Sequence, residues 1–273
     1  MQYIDLYGHY TWNLGGDEMT GRDEAKMLLK LAQQDHIIKA VAVPRLVCGK
    51  HSPEEIYDYS KKVEQVRLLS RKFSVKLYEG SELLLNRHLI TAMEKHLFLP
   101  IQDTHILIVT MDRLDQYEDY EKELLLYLKA IINHSYKPLF KDIERLVYNT
   151  NDLSFIREIA DMGCILGICA PSLLGYRGKQ LKLNAEALLD AKLVHVIGSD
   201  ASYPNADGMP CLNEAYAYLS KNYDYETTAI LLNKNPQRVL NEEDMLMIHG
   251  RMPKQLERLS MKLDRLSKSF NIF

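Results

Sequence analysis

Leu193-Val194-His195-Val196-Ile197-Gly198-Ser199-Asp200 is the stretch on which the fold turns. Its apolar part, Leu193–Ile197, is short, rich in Val, Ile and Leu, and apolar at both parities. A strand with one wet face alternates, whereas a strand covered on two sides reads as an unbroken apolar run. Working outward, the same reading applies to Tyr3–Leu6, Ile38–Val43, Val75–Tyr78, His105–Val109 and Cys164–Cys169, and more weakly around Pro138–Phe140. Between these runs lie longer segments of helical period. Glu54–Lys72 places Ile56, Tyr59, Val63 and Val66 on one face, and its start is well marked. Ser52 caps, Pro53 suits the first turn, and Glu55 completes a capping box. Thr20-x-x-Asp23 before Ala25–Leu31 is a weaker start of that kind. Strand candidates alternating with helices along most of the chain suit a β/α barrel better than an open sheet.

The chain has 273 residues, 47% apolar and 26% charged, with 34 Lys+Arg against 37 Asp+Glu and a net charge of −3. Such a balance excludes a nucleic-acid clamp, which needs a basic excess. No basic stretch followed by an apolar run opens the sequence, and nothing approaches the roughly 20 apolar residues of a membrane span. The expected location is therefore cytoplasmic. Cys48, Cys164, Cys169 and Cys211 form no C-x-x-C pair and read as reduced, packed thiols. The composition shifts after Leu240. Residues 1–245 are expected to form the barrel domain, and 246–273 a basic amphipathic C-terminal helix or tail. In that tail Leu256, Leu259, Leu263, Leu266 and Phe270 are spaced three, four, three, four. This stripe must pack on the body, on a partner helix or on an anionic membrane surface, which would place the protein peripherally on the inner face of the membrane.

In a parallel β/α layout, chemistry gathers where strands end. Asp5, Tyr7 and His9 follow the first run and Arg45 the second. Glu82 follows the third, Asp142, Glu144 and Arg145 follow Pro138–Phe140, and Ser199, Asp200 and Ser202 follow the last. One imidazole and several carboxylates at one mouth suit a hard divalent ion, magnesium or manganese before zinc, and a nearby Arg suits phosphate. Other features carry less. The remaining histidines show no metal-binding spacing, and His105 and His195 are expected to be packed or hydrogen-bonded within their runs. Gly15-Gly16 and Gly175-x-x-Gly178-Lys179 match neither a dinucleotide fingerprint nor a Walker loop. Trp12 is expected to anchor the first loop or face the mouth.

At these rim residues the sequence resembles a family. The stretches Leu173-Leu174-Gly175-Tyr176-Arg177-Gly178-Lys179-Gln180-Leu181-Lys182 and Leu193–Ala201, with Asn235-Pro236, are similar to bacterial protein-tyrosine phosphatases of capsule and exopolysaccharide loci. These are members of the polymerase-and-histidinol-phosphatase (PHP) superfamily. The resemblance runs from Tyr3 to about Leu240. It implies a distorted PHP-type (β/α)7, TIM-like barrel that uses manganese-type ions to hydrolyse phosphotyrosine on a partner tyrosine kinase. It also implies a ligand set, with which this sequence only partly agrees. His9, Glu82 and Asp200 stand at ligand positions, and Asp142 is a competent replacement for a histidine. Tyr7, Arg45, Val109 and Ser202 stand where the family has ligands and are poor ones, and Met209 stands where part of the family has an Arg.

The expected metal ligands are thus His9, Glu82, Asp142 and Asp200, enough for at most one ion, manganese first. Arg45 and Arg145, with Asp200, are the expected phosphate-side and catalytic residues. A guanidinium at position 45 puts a fixed charge where a cation would sit, and it cannot deprotonate. Two readings stay open: a phosphatase of reduced activity, and a binding or regulatory relative that recognises a tyrosine kinase or its phosphotyrosine tail without fast turnover. A third, less tied to the resemblance, is another barrel hydrolase of small phosphate or sugar substrates.

Overall fold

Runs apolar at every position hide both faces only inside a sheet covered on two sides, and the expected runs are found there. The computed structural model describes residues 1–11, 21–111, 119–204 and 208–251. Among them nine strands form, and every ladder between them is parallel. β1 (Tyr3–Gly8), β2 (Ile37–Ala42) and β4 (Lys76–Glu79) make one sheet in the order β1-β2-β4. β3 (Arg45–Val47), β5 (Glu82–Leu84), β6 (Ile106–Thr110), β7 (Lys137–Phe140), β8 (Ile165–Cys169) and β9 (Val196–Gly198) make the other, in chain order. β3 continues β2 after a break at Val43-Pro44, where Pro44 has no N–H to give to a ladder. β5 continues β4 after Gly80-Ser81. Nine strands less these two continuations leave seven staves in sequence, the TIM-like arrangement expected of the chain.

The distortion lies at the seam. β9 and β1 sit side by side without a ladder. They are stitched by the His9 N–H donating to the Ala201 carbonyl at 2.6 Å and the Ser199 N–H donating to Asp5 Oδ1 at 2.9 Å. The Ser199 hydroxyl donates to the other Asp5 oxygen, which also accepts from Tyr10 Oη at 2.8 Å. Asp5, a rim candidate in sequence, is spent on holding the seam.

Strand alternation sorts the core into two layers. Ile4, Leu6, Val41, Ile106, Ile108, Leu139, Ile165, Cys169 and Val196 form an inner cluster. The other parity, including Tyr3, Ala40, Leu107, Val109, Phe140, Leu166, Ile168 and Ile197, joins the larger cluster with the surrounding helices. Val109 therefore faces the helices, and the inward parity of β6 ends on Thr110. This corrects the placing of Val109 at the site. In β1 a register irregularity between Asp5 and Gly8 turns Tyr7 onto the inner cluster beside Leu6.

The helix Pro53–Ser70 starts as expected. The Glu55 N–H donates to Ser52 Oγ at 3.3 Å and the Ser52 N–H donates to Glu55 at 2.8 Å. The start expected at Thr20-x-x-Asp23 is corrected by one residue: Gly21 precedes the helix Arg22–Gln34 and its N–H donates to Glu24 at 3.2 Å. Trp12, Gly15-Gly16 and the stripe Leu256, Leu259, Leu263, Leu266 and Phe270 lie outside the described residues. Packing continues beyond the expected domain limit of 245, since Ile248 is buried and Arg251 bridges to Tyr223. No helix among the described residues is long and apolar enough to cross a membrane.

Candidate functional site

Period two carries each strand's inner row upward to a polar residue at the C-terminal rim. Above Leu139 on β7 the next inward position is Lys141, whose N–H donates to the Val109 carbonyl at 2.9 Å. Above Val196 and Gly198 it is Asp200. Asp142 and Asp200 both have positive φ, 59° and 50°, in the left-handed region that Asp tolerates better than most residues. These turns let the chain leave the strand while the carboxylates stay over the barrel. Strained backbone at the rim directs attention to function.

The rim holds a network of opposite charges. Lys141, with no exposed side-chain surface, sets Nζ 2.6 Å from Glu82 Oε2 and against Asp200 Oδ1. His9 Nε2 lies 3.3 Å from the same Glu82 oxygen and 3.7 Å from the same Asp200 oxygen. Arg45 approaches Glu82 Oε1 at 3.2 Å from the mouth. Arg177 pairs with Asp200 Oδ2 and lies 3.8 Å from Asp142 Oδ2, which Arg145 Nε approaches at 3.6 Å. The side chains of Arg45, Arg145 and Arg177 remain 49%, 46% and 26% exposed, whereas the carboxylates and Lys141 lie beneath them.

Electrostatics follows this geometry. Burial alone would raise Glu82 and Asp200, but Lys141 and His9 outweigh it and hold both carboxyls well below their usual range. Burial works against the Lys141 charge too, and Asp200 and Glu82 more than offset it, so its pKa rises. Glu144 and Cys169 behave oppositely. Burial and the neighbouring Asp142 push Glu144 up to about 8, and the same two causes raise the Cys169 thiol well above its ordinary value. The thiol donates to Asp142 Oδ1, the Cys169 N–H donates to Glu144 Oε1 at 3.3 Å, and Glu144 Oε2 is buried without a hydrogen-bond partner.

Among the described residues, two groups of donor atoms have the spacing to hold a divalent cation, each within 4.8 Å: His9, Glu82 and Asp200, and Asp142, Glu144 and Cys169. The expected set thus divides, with His9, Glu82 and Asp200 brought together and Asp142 joined instead to Glu144 and Cys169. Fitting an ion differs between the two. Two unit charges 4 Å apart interact by ~4 kcal/mol at the effective dielectric of such a site, so a divalent ion beside the Lys141 ammonium meets ~8 kcal/mol of repulsion. The first group does not fit a divalent ion while Lys141 stays where it is. The second fits better: Glu144 Oε2 is buried without a hydrogen-bond partner, and Lys141 pairs with Glu82 and Asp200 rather than with this group.

Lys141 and Arg177 were not singled out in the sequence, although signals for both existed. Lys141 is the inward position two past Leu139, and Arg177 lies inside the Leu173–Lys182 stretch between Gly175 and Gly178, both at positive φ. Tyr7, at an expected ligand position, is fully buried with Oη donating to the Ile168 carbonyl at 3.2 Å. Ser202 uses its N–H on the Gly208 carbonyl at 3.0 Å.

Comparison with known proteins gives this geometry a context. Residues 3–241 match the family profile described as capsular polysaccharide synthesis, CpsB/CapC. The chain is 24% identical over 249 residues to the tyrosine-protein phosphatase CpsB of Streptococcus pneumoniae, covering 88% of this chain and 99% of that protein. It is 23% identical over 200 residues to the tyrosine-protein phosphatase YwqE of Bacillus subtilis, covering 72% and 76%. A crystal structure from the study of YwqE and CpsB, described as metal-dependent tyrosine phosphatases, superposes with a TM-score of 0.72 over 92% of this chain and 99% of that one, at 18% identity. A histidinol phosphate phosphatase from Lactococcus lactis superposes with a TM-score of 0.51 at 14% identity, over 78% and 91%.

Proposed function

Because the chain belongs to the capsular polysaccharide synthesis CpsB/CapC family, we propose that it recognises phosphotyrosine in capsule or exopolysaccharide production and hydrolyses it more slowly than a barrel with a full metal site. The observation that carries this reading is the rim itself: three guanidinium groups, Arg45 and Arg145 exposed and Arg177 half-buried, above a buried floor of carboxylates and one ammonium. Guanidinium forks match phosphoryl oxygens, and their charge does not depend on pH in the working range. Asp200 orients Arg177 and Glu82 orients Arg45, so binding groups are held before substrate arrives. The natural target of such a rim is a bacterial tyrosine kinase or its phosphorylated tail. The protein would work in the cytoplasm, with the stripe Leu256–Phe270 as the contact to a partner helix or to the inner membrane surface.

A slow hydrolase is favoured over a pure binding protein by one feature, the unpartnered Glu144 oxygen beside Asp142 and Cys169. A single ion there would be held by those three side chains and would supply positive charge to phosphoryl oxygens and a more acidic water. The carboxylates suit manganese, and the thiol adds some preference for zinc.

The test is direct. Titration with a phosphotyrosine peptide, alongside turnover of that peptide and of p-nitrophenyl phosphate with and without manganese, separates the readings. We expect micromolar binding that weakens about tenfold in Arg145→Ala, on the order of 1.4 kcal/mol, with slow turnover that disappears in Glu144→Gln. Absence of both binding and turnover in the unaltered protein would overturn the proposal.

A further inference from the structure

We propose that Lys141 is a tethered cation standing in place of a metal ion at His9, Glu82 and Asp200, so that this group refuses divalent ions until Lys141 is removed. This does not rest on the phosphotyrosine reading, because it concerns only what the rim can hold.

Three observations converge on it. First, the ammonium is placed as an ion would be: its Nζ is 2.6 Å from Glu82 Oε2 and against Asp200 Oδ1, the same two oxygens that His9 Nε2 approaches at 3.3 and 3.7 Å. The two carboxylate oxygens that would share an ion with His9 therefore share Lys141. Second, the side chain has no route of retreat. It has no exposed surface, and its stem rises from the inward row of β7, with Nζ 5.9 Å from the centre of the buried Tyr7 ring. Third, the carboxylate charge is already more than offset. Glu82 and Asp200 face Lys141, with Arg45 at 3.2 Å on the outer side of Glu82 and Arg177 on the outer side of Asp200. Adding a divalent ion to two carboxylates that already hold three monovalent cations leaves a buried excess of positive charge.

The exchange has a chemical consequence. An ammonium offers fixed charge and three N–H donors, yet it has no open coordination position and generates no bound hydroxide. The group keeps the electrostatic part of a metal site without the part that activates water.

The test is gain of a metal site. Manganese and zinc binding are measured by calorimetry and by metal content after desalting, on the unaltered protein, Lys141→Ala and Lys141→Ala/Asp200→Asn. We expect Lys141→Ala to bind one more equivalent than the unaltered protein, at least tenfold tighter than any site it shares with it, and the double variant to lose that equivalent. Added zinc should also raise the melting temperature of Lys141→Ala more than that of the unaltered protein. No additional equivalent in folded Lys141→Ala, or one that survives Asp200→Asn, overturns the proposal. Should Lys141→Ala fail to fold, Glu144→Gln still decides: with the other group disabled, paramagnetic manganese is expected to leave the His9 ring resonances sharp, and their selective broadening overturns the proposal. An ion retained by the unaltered protein but lost in Glu144→Gln belongs to the other group and leaves the His9 result as the deciding one.

Discussion

Tyr7 shows how one side chain reshapes a site from beneath. A Cβ added to Gly198 would meet Tyr7 ring carbons at 2.2 Å, and one added to Gly167 would meet Tyr7 Oη at 2.2 Å. The ring thus lies across the two glycines of β8 and β9, where no other residue leaves room. Overpacking of a filled interior costs about 1–3 kcal/mol, so Gly198→Ala should destabilise by that amount in urea unfolding. In a Tyr7→Ala background the same change should cost less, with a coupling of about 1 kcal/mol or more; additivity within about 0.5 kcal/mol would show that the ring does not set the requirement. Lys141 makes a second residue-scale prediction. Lys141→Met removes the buried cation that Glu82 and Asp200 share, leaving only Arg45 and Arg177 on their outer sides, and should lower the unfolding free energy by about 3–5 kcal/mol. Equal unfolding free energies for the two proteins in urea would show that the outer guanidiniums alone suffice for these carboxylates. In the sequence, His9, Glu82 and Asp200 were legible because each lies three or four residues past an apolar run. Lys141 was not, because a lysine beside Asp142 and Glu144 reads as a solvated charge until strand parity turns it inward. Arg177 was hidden for another reason: it reaches the site from a loop between helices, and no strand-end pattern points to it.

At the scale of elements, all seven apolar runs became strands, since burial on two faces leaves no other reading. Their interruptions were less visible. Pro44 and Gly80-Ser81 split two staves, and these breaks place Arg45 and Glu82 at the first residues of β3 and β5, paired in register across the rim. The start at Ser52 was legible because a side chain does the capping there. Ser52→Ala should cost about 1 kcal/mol of stability, readable as a lower urea midpoint without a change in slope. His195 carries a pH prediction. Its Nδ1 accepts the Leu166 N–H at 2.9 Å while its own N–H donates to the Leu166 carbonyl at 2.9 Å, so the imidazole completes the edge of β8 ahead of β9. Burial lowers its pKa from 6.5 to about 4. A neutral folded imidazole and a more basic unfolded one mean that the unfolded chain binds the extra proton. Stability is then fully present above about pH 6.5 and is lost as pH falls toward 4, by up to about 3 kcal/mol. In His195→Gln this acid-side slope should flatten. An unchanged slope between pH 6.5 and 4 would assign the acid sensitivity to other groups.

For the whole molecule, composition placed the end of the barrel at residue 245, yet the body closes later. Asn235, buried and just before Pro236, donates from Nδ2 to the carbonyls of His195 and Leu246, each at 2.9 Å, and accepts the Leu246 N–H at 2.8 Å. One amide thereby ties the segment after the helix Asn235–Leu240 to the start of β9. Beyond it Ile248 is buried, the His249 N–H donates to Thr227 Oγ1 at 3.1 Å, and Arg251 Nε lies 3.1 Å from Asp190 Oδ1. Composition missed this strap because Asn241–Asp244 is polar and charged, and tertiary hydrogen bonds to a distant asparagine leave no local pattern. Two truncations measure the difference. Ending the chain after Arg251 should leave the melting temperature of the body within about 1 °C, because every contact just named is kept. Ending it after Met245 exposes the Ile248 pocket and strips the Asn235 side chain of its partners at Leu246. Losing one buried isoleucine is worth about 2 kcal/mol, which for a body of this size is roughly 4–8 °C, before the lost hydrogen bonds are counted. Equal melting temperatures for the two truncations would return the boundary to residue 245. A large drop in both would instead make the stripe from Leu256 to Phe270 part of the core.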